Sequence, residues 1–343
     1  DINDLTDQVY EFRKDAPQDY YETFGAMVSN LPDEHHSTTW IADETVKHIA
    51  HWDETPHLLV SSFIKPHHPF DPPAPWHEMY NPDTTDILPG WTAQLSEIDA
   101  SRGPGYFPNE DLTESALRRI TAYYYAAITH MDHNIGRIID QLKKSGRYEN
   151  SIIVFASDHG ELMGFHHLLL KHNYMYEPLI RIPYIWKLPG GEQLGTRRSD
   201  MVSLLDLGPS LGSLSGVSLD VHSEARDIFS GPARDYYYAE SDDEYMLRTN
   251  RYKLLYMKEV HQRQLIDLLN DPMELNNYYN DPNFADVQRD LEAKLLDTVL
   301  FENSPAVHFD ARAASIETDN TPPEGNREAS IRYFRRKMNE KEY

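Results

Sequence analysis

The densest run of side chains able to do chemistry is SDHGELMGFHHLLLKHNYMYEP, residues 157–178. Asp158 and His159 stand side by side, so one carboxylate and one imidazole can reach a single divalent cation. Oxygen with one nitrogen suits Ca²⁺, Mn²⁺ or Mg²⁺ better than a structural zinc centre. Gly160 lets the backbone turn close beside an ion. Lys171 can bring a compact positive charge to an anionic group. The same residues also fit a plain Asp-His-Gly turn followed by an ordinary exposed lysine. A second candidate pair is His67 and His68, within KPHHPFDPPAPW (65–76). An imidazole there can donate to a substrate oxyanion or protonate a leaving group, or simply pack in a proline loop. His166 and His167 are further candidates for touching a substrate.

These groups need elements to hold them. The run HLLVSSFI (57–64) reads as a buried strand that delivers the histidine loop. Prolines 66, 69, 72, 73 and 75 forbid helix or central strand there, yet they stiffen the path. Leu117, Ile120, Tyr124, Ile128, Met131, Ile135, Ile138 and Leu142 form a helical stripe over 113–145. Thr113 suits its start, and Lys143, Lys144 and Gly146 its end. SIIVFAS (151–157) is apolar and β-branched, the pattern of a strand buried on both faces, and it runs straight into Asp158. Strand, long helix, strand predicts a parallel sheet flanked by helices, with the ligand crevice beyond the strands' carboxyl ends.

Further along, Ile182–Leu188 reads as a strand ending at Pro189-Gly190-Gly191, and a short helix is expected near 203–214. DYYYAE, EYMLRT, RYKLLYM and QLIDLL then predict a small antiparallel sheet, with a final helix over 284–300. The expected class is α/β: a mostly parallel sheet sandwiched by helices over 1–225 and a C-terminal α+β subdomain over 226–302. A tail or arm follows over 303–343.

Composition narrows the function. With 32 Lys+Arg against 56 Asp+Glu, the 343-residue chain carries a formal charge of −24, which argues against nucleic acid as a partner. It also means that any anion must be held by local positive groups against the chain's own field. There is no cysteine, which removes disulfides, thiolate metal sites and thiol nucleophiles. No window of 18 consecutive apolar residues marks a membrane span, and DINDLTDQVYEF lacks the basic and apolar regions of a signal peptide. The compartment stays open between cytoplasm, periplasm and secretion. The absence of an initiator Met leads to the expectation that the chain is part of something longer.

Four segments, in order, resemble the sulfatases of the alkaline-phosphatase-like superfamily and the related phosphonate monoester hydrolases. They are SFIKPHHPFDPPAPW (62–76), AYYYAAITHMDHNIGRIIDQL (122–142), SDHGELMGFHHLLLKHNYMYEPLIRIPYI (157–185) and RTNRYKLLYM…QLIDLLNDPMELNN (248–277). The resemblance implies an alkaline-phosphatase-like fold and a divalent metal, Ca²⁺ first, with Asp158 and His159 among its ligands. It implies that Lys171 binds sulfate oxygens and that His67 contacts the ester and assists the leaving group. The implied substrate is a small anionic ester such as a sulfated sugar or aryl sulfate, with no membrane partner. YMYEPLIRIP is a landmark beside the site.

One departure is informative. The family's nucleophile lies in C/S-x-P-x-R, as a formylglycine made from Cys or Ser, with an acidic pair upstream. No Cys is available here. The literal match Ser230-Gly231-Pro232-Ala233-Arg234, followed by Asp242-Asp243, falls downstream of Asp158 and reads as a decoy, a turn leading into DYYYAE. Three readings follow. The chain is a working sulfatase lacking its N-terminal part, which another chain or copy can supply; or a non-catalytic relative; or a phosphodiester or phosphonate hydrolase of the same superfamily. On the first reading this chain alone is poorly active, and a sheet missing its first strand leaves apolar edges exposed.

Overall fold

The computed structural model describes residues 18–101, 107–171, 174–191, 194–219, 224–241, 244–258 and 261–302. The helices are α1 (Gln18–Glu22), α2 (Ser37–Ala50), α3 (Glu97–Ser101), α4 (Glu114–Lys144), α5 (Glu177–Ile180), α6 (Leu207–Leu214) and α7 (Ala285–Asp297). The strands are β1 (Ile153–Ala156), β2 (Tyr184–Lys187), β3 (Tyr236–Glu240), β4 (Glu244–Thr249), β5 (Tyr252–Met257) and β6 (Gln262–Asp267). The expected tail, the N-terminal segment 1–17 and Asp242-Asp243 lie outside the described residues.

The long helix forms where the stripe predicts it. Thr113 caps α4 by accepting the Ala116 N–H at 3.1 Å, and Lys143 and Lys144 sit in its last turn, where cations complement the helix dipole. Leu117 and Ile120 enter a core with Phe24, Phe70, Phe107 and Leu112. The later turns of α4 on the Ile120 side, with Ala127, His130 and Asn134, form a flank that is buried too. That flank meets α2, a helix no apolar stripe announces. Its buried positions are Thr38, Ala42, Thr45 and Ile49, correctly spaced but small or polar. His130 Nε2 lies 2.8 Å from Asp33 Oδ1 just before α2, and Arg137 pairs with Asp43 within it.

The sheet differs from the expectation. β1 pairs antiparallel with β2, Ile153 opposite Lys187 and Ala156 opposite Tyr184. The reason is connectivity: α4 leads into β1 and does not separate β1 from β2, and the segment between the two strands folds back on itself. β1 is half-buried along its length, rather than covered on both faces. Segment 57–64 forms no strand and pairs with no described strand. Leu58, Val60 and Ile64 within it are 83%, 79% and 61% exposed. The α/β class holds; the parallel ladder does not form among the described residues.

The C-terminal sheet is an antiparallel meander in the order β3-β4-β5-β6, as the sequence texture predicts. It is buried on both faces. Leu247, Leu254 and Leu265 pack on Leu291 and Leu295 of α7, while Met246, Leu255, Met257 and Ile266 pack on Met175.

Candidate active site

Asp158 and His159 leave β1 as expected, at the strand's carboxyl end. The Asp158 side chain turns back to accept the His159 N–H at 2.9 Å, and Ser157 Oγ donates to the His159 carbonyl at 2.7 Å. His159 Nδ1 donates to the Gly160 carbonyl at 2.7 Å, which fixes the tautomer and leaves a lone pair on Nε2. Lys171 Nζ donates to that lone pair at 2.9 Å, and Asp158 Oδ2 lies 3.6 Å from the same nitrogen. The three residues singled out from sequence therefore meet in one exposed cluster.

Gly160 is required by close approach. Its N–H donates to the Leu179 carbonyl at 2.8 Å, and a Cβ would fall 1.8 Å from the Pro178 carbonyl oxygen. The turn is thus seated directly on α5. Burial works against the Asp158 charge, but the His159 ring and amide, with Lys171, outweigh it and hold the carboxyl below its ordinary range. Beneath them, burial pushes the Glu161 carboxyl up to about 7 despite backbone N–H donors and Lys171.

His67 is exposed on its own braced loop, with Nδ1 directed at the His68 carbonyl. The brace is Lys65, a buried lysine whose Nζ donates to the carbonyls of His67 and Pro69, at 3.3 and 2.7 Å, and pairs with Asp71. Burial, then the charge of Lys65, pushes neighbouring His36 down to about 3. His68 is a packing residue. It shares a 3.1 Å hydrogen bond with the Tyr20 hydroxyl and presses on Gly25, where a Cβ would lie 2.4 Å from its Nε2.

His166 is buried. It stacks on Phe165, donates from Nε2 to the Met273 carbonyl at 2.7 Å, and faces Asp99 at 3.6 Å. Burial lowers its basicity, but Asp99 and the Met273 carbonyl reverse the sign and raise it. His167 points its ring nitrogens at the carbonyls of Thr92 and Asn109, at 2.9 and 2.8 Å. Both are buried and held by these contacts with neighbouring loops. Ser230 donates to Asp227 Oδ2 at 2.6 Å inside a tight turn, and Arg234 forks onto buried Asp206. The SGPAR segment thus runs from a turn at Asp227–Ser230 towards β3.

As to metal, Asp158 and the lone pair of His159 Nε2 are a suitable oxygen–nitrogen donor pair, with the ring oriented by its bond to the Gly160 carbonyl. Among the described residues no group of three or more His, Asp or Glu converges. A hard cation gathers six or more oxygens, so this pair fits as part of a shell.

The sulfatase family model matches residues 5–217, and the chain belongs to the sulfatase family. A second model, the C-terminal part of N-sulphoglucosamine sulphohydrolase, matches 164–300. An arylsulfatase of Clostridium perfringens is 32% identical over 270 residues, covering 73% of this chain and 55% of that protein. The multifunctional alkaline phosphatase superfamily protein PehA of Trinickia caryophylli is 26% identical, covering 78% and 60%. The crystal structure of the phosphonate monoester hydrolase of Agrobacterium radiobacter superposes with a TM-score of 0.69 at 25% identity, over 79% of this chain and 62% of that one. The chain thus spans little more than half the length of these curated relatives. Among the described residues, no helix is long and apolar enough to cross a membrane.

Lys65, Glu161 and the buried charges around Glu177 escaped the sequence reading as site residues. Their signal lay inside the quoted segments, since Lys65 opens KPHHPF and Glu177 sits in YMYEP. Burial, which the sequence does not display, is what separates them from surface charges.

Proposed function

We propose that the chain carries the metal- and anion-binding half of a sulfate-ester hydrolase site. Asp158 and His159 hold a divalent cation, Ca²⁺ before Mn²⁺ or Mg²⁺, which when bound gathers ester oxygens and offsets their charge. Lys171 holds a sulfate oxygen, and exposed His67 supplies a proton to the leaving oxygen. The observation that supports this reading is the Asp158–His159–Lys171 cluster, with the His159 tautomer fixed so that Nε2 can ligate. The substrate class is a small sulfated sugar or aryl ester.

These 343 residues contain no Cys, and Ser230 is engaged in a turn, so the formylglycine nucleophile comes from polypeptide outside them. The exposed apolar residues Leu58, Val60 and Ile64 support a further segment lying there, from the same gene product or another chain. Reading the codons upstream of Asp1 tests this: an acidic pair and C/S-x-P-x-R support it, and a non-coding stretch contradicts it. The chain alone is expected to turn over p-nitrophenyl sulfate poorly or not at all. Robust turnover surviving Ser230→Ala would mean that another nucleophile exists.

A second reading keeps the site and changes the ester to a phosphonate or phosphodiester. The likeness to the phosphonate monoester hydrolase and His159 at the second ligand position favour it. Parallel assays of sulfate and phosphonate p-nitrophenyl esters, on chain joined to its upstream segment, separate the two. A gene product that binds these esters without cleaving either would instead be a non-catalytic relative.

A further inference from the structure

The Asp158-His159 turn and the Lys171 loop both rest on a buried set of charges that the proposed chemistry does not use. Lys253 of β5 has no exposed surface, and neither has the Glu274 side chain beside it. Lys253 Nζ donates to Glu274 Oε2 and to the Met175 carbonyl, each at 2.9 Å, and lies 2.9 Å from Glu177 Oε1. Arg248 of β4 forks onto Glu177, with Nε at 2.8 Å and a terminal nitrogen at 2.9 Å. Glu274 also accepts the Glu177 N–H at 2.7 Å, at the first residue of α5. Two acids and two bases balance, and each is hydrogen-bonded.

The path from this set to the site is short. Helix α5 has four residues, too few to hold an orientation by its own hydrogen bonds. Its first N–H and its Glu177 side chain are both fixed by the C-terminal sheet and the loop after it. Its Leu179 and Pro178 carbonyls in turn seat Gly160, next to His159. Met175, four residues past Lys171, is held by Lys253 through its carbonyl and by Met246, Leu255 and Ile266 through its side chain.

We propose that Glu177, Arg248, Lys253 and Glu274 are positioning residues: through α5 and Gly160 they fix the backbone that presents Asp158, His159 and Lys171. They touch no substrate. A purely stabilising role would be served as well by apolar side chains of similar volume, and that contrast defines the test. The proposal rests on the site reading only in its metal-binding arm.

The experiment uses the full chain with Lys253→Met and Glu274→Gln combined, which removes one opposite pair and leaves no net buried charge. Amide hydrogen exchange is expected to accelerate at least tenfold at Gly160 while α4 amides keep their protection. The imidazole ¹⁵N signals of His159 are expected to move while those of His130 stay. Ca²⁺ affinity by calorimetry is expected to fall at least fivefold. Glu274→Gln alone, which keeps an acceptor for both the Glu177 N–H and Lys253, is expected to leave Gly160 and His159 near wild type. Unchanged Gly160 exchange and His159 signals in a folded double variant would overturn the proposal. If that variant does not fold, Arg248→Lys, which loses the fork but keeps the charge, takes its place. Faster Gly160 exchange and shifted His159 signals are expected there too, and no change in either would again overturn the proposal. Absent Ca²⁺ binding in the wild type would count against the metal reading, while the exchange and imidazole readouts still decide the positioning claim.

Discussion

Two lysines mark two regions with opposite uses of charge. Lys171 is exposed, and its ammonium leans on a single imidazole lone pair at the end of β1. Lys253 is sealed between Glu177, Glu274 and the Met175 carbonyl. Burial with every donor satisfied makes a lysine part of the scaffold, and its loss strands the opposing charge. Exposure beside a carboxylate and an oriented imidazole leaves a lysine able to exchange its partner for a ligand. On the proposed reading, the difference teaches that function sits on the lightly held charges, and that the tightly held ones set their position.

The largest effect that can break this comparison is on stability. Lys253→Met leaves uncompensated negative charge between Glu177 and Glu274 and is expected to cost about 3–5 kcal/mol in urea unfolding. Lys171→Met is expected to stay within about 0.5 kcal/mol of wild type. Equal costs would erase the distinction.

Acid sharpens it next. Burial raises the Glu177 carboxyl, but its Arg248 bonds and the charge of Lys253 prevail and hold it at about 2, against an ordinary 4.5. A depressed carboxylate stabilises the fold above its unfolded pKa, and that contribution drains as pH falls from about 4.5 towards 2. The full swing is roughly 3 kcal/mol. Deeper burial pushes Glu274 up instead, so acid adds its first proton there, which works in the opposite direction. Urea midpoints at about pH 6, above that window, and at about pH 3, well into it, check this, and Glu177→Gln is expected to flatten the difference.

Ligand affinities come third. Because the Lys171 ammonium occupies the lone pair that a cation needs, Lys171→Met is expected to tighten Ca²⁺ binding severalfold. Binding of inorganic sulfate is expected to weaken about tenfold, or roughly 1.4 kcal/mol. Calorimetry with each ion reads both signs, and movement in the same direction would contradict the assigned roles. The smallest effect is Ser230→Ala, expected within about 0.5 kcal/mol of wild-type stability and without influence on ester turnover.

Much of this was legible in the sequence for identifiable reasons. The α4 stripe, the alternating strands of the C-terminal meander and the Asp-His-Gly turn each have a local period or a special residue. Helix α2 was hidden because Thr38, Ala42 and Thr45 fill its buried face without hydropathy, and because its cap is His36 rather than a hydroxyl or a carboxylate. Apolar content made 57–64 look like a buried strand, but a strand is a relation to a partner, which its own residues do not carry. The parallel pairing expected for β1 failed for the same reason. At the site, Lys171 was readable from type and spacing, while Lys65 and Lys253 needed burial to distinguish them from surface lysines.

The central claim is that Asp158 and His159 are metal ligands with Lys171 poised beside them. Calorimetric titration of the full chain with Ca²⁺ and Mn²⁺, beside Asp158→Ala, tests it most directly. The expected result is weak, saturable binding, as suits a partial shell, lowered at least tenfold by Asp158→Ala with the fold intact. An isotherm unchanged by Asp158→Ala would contradict it.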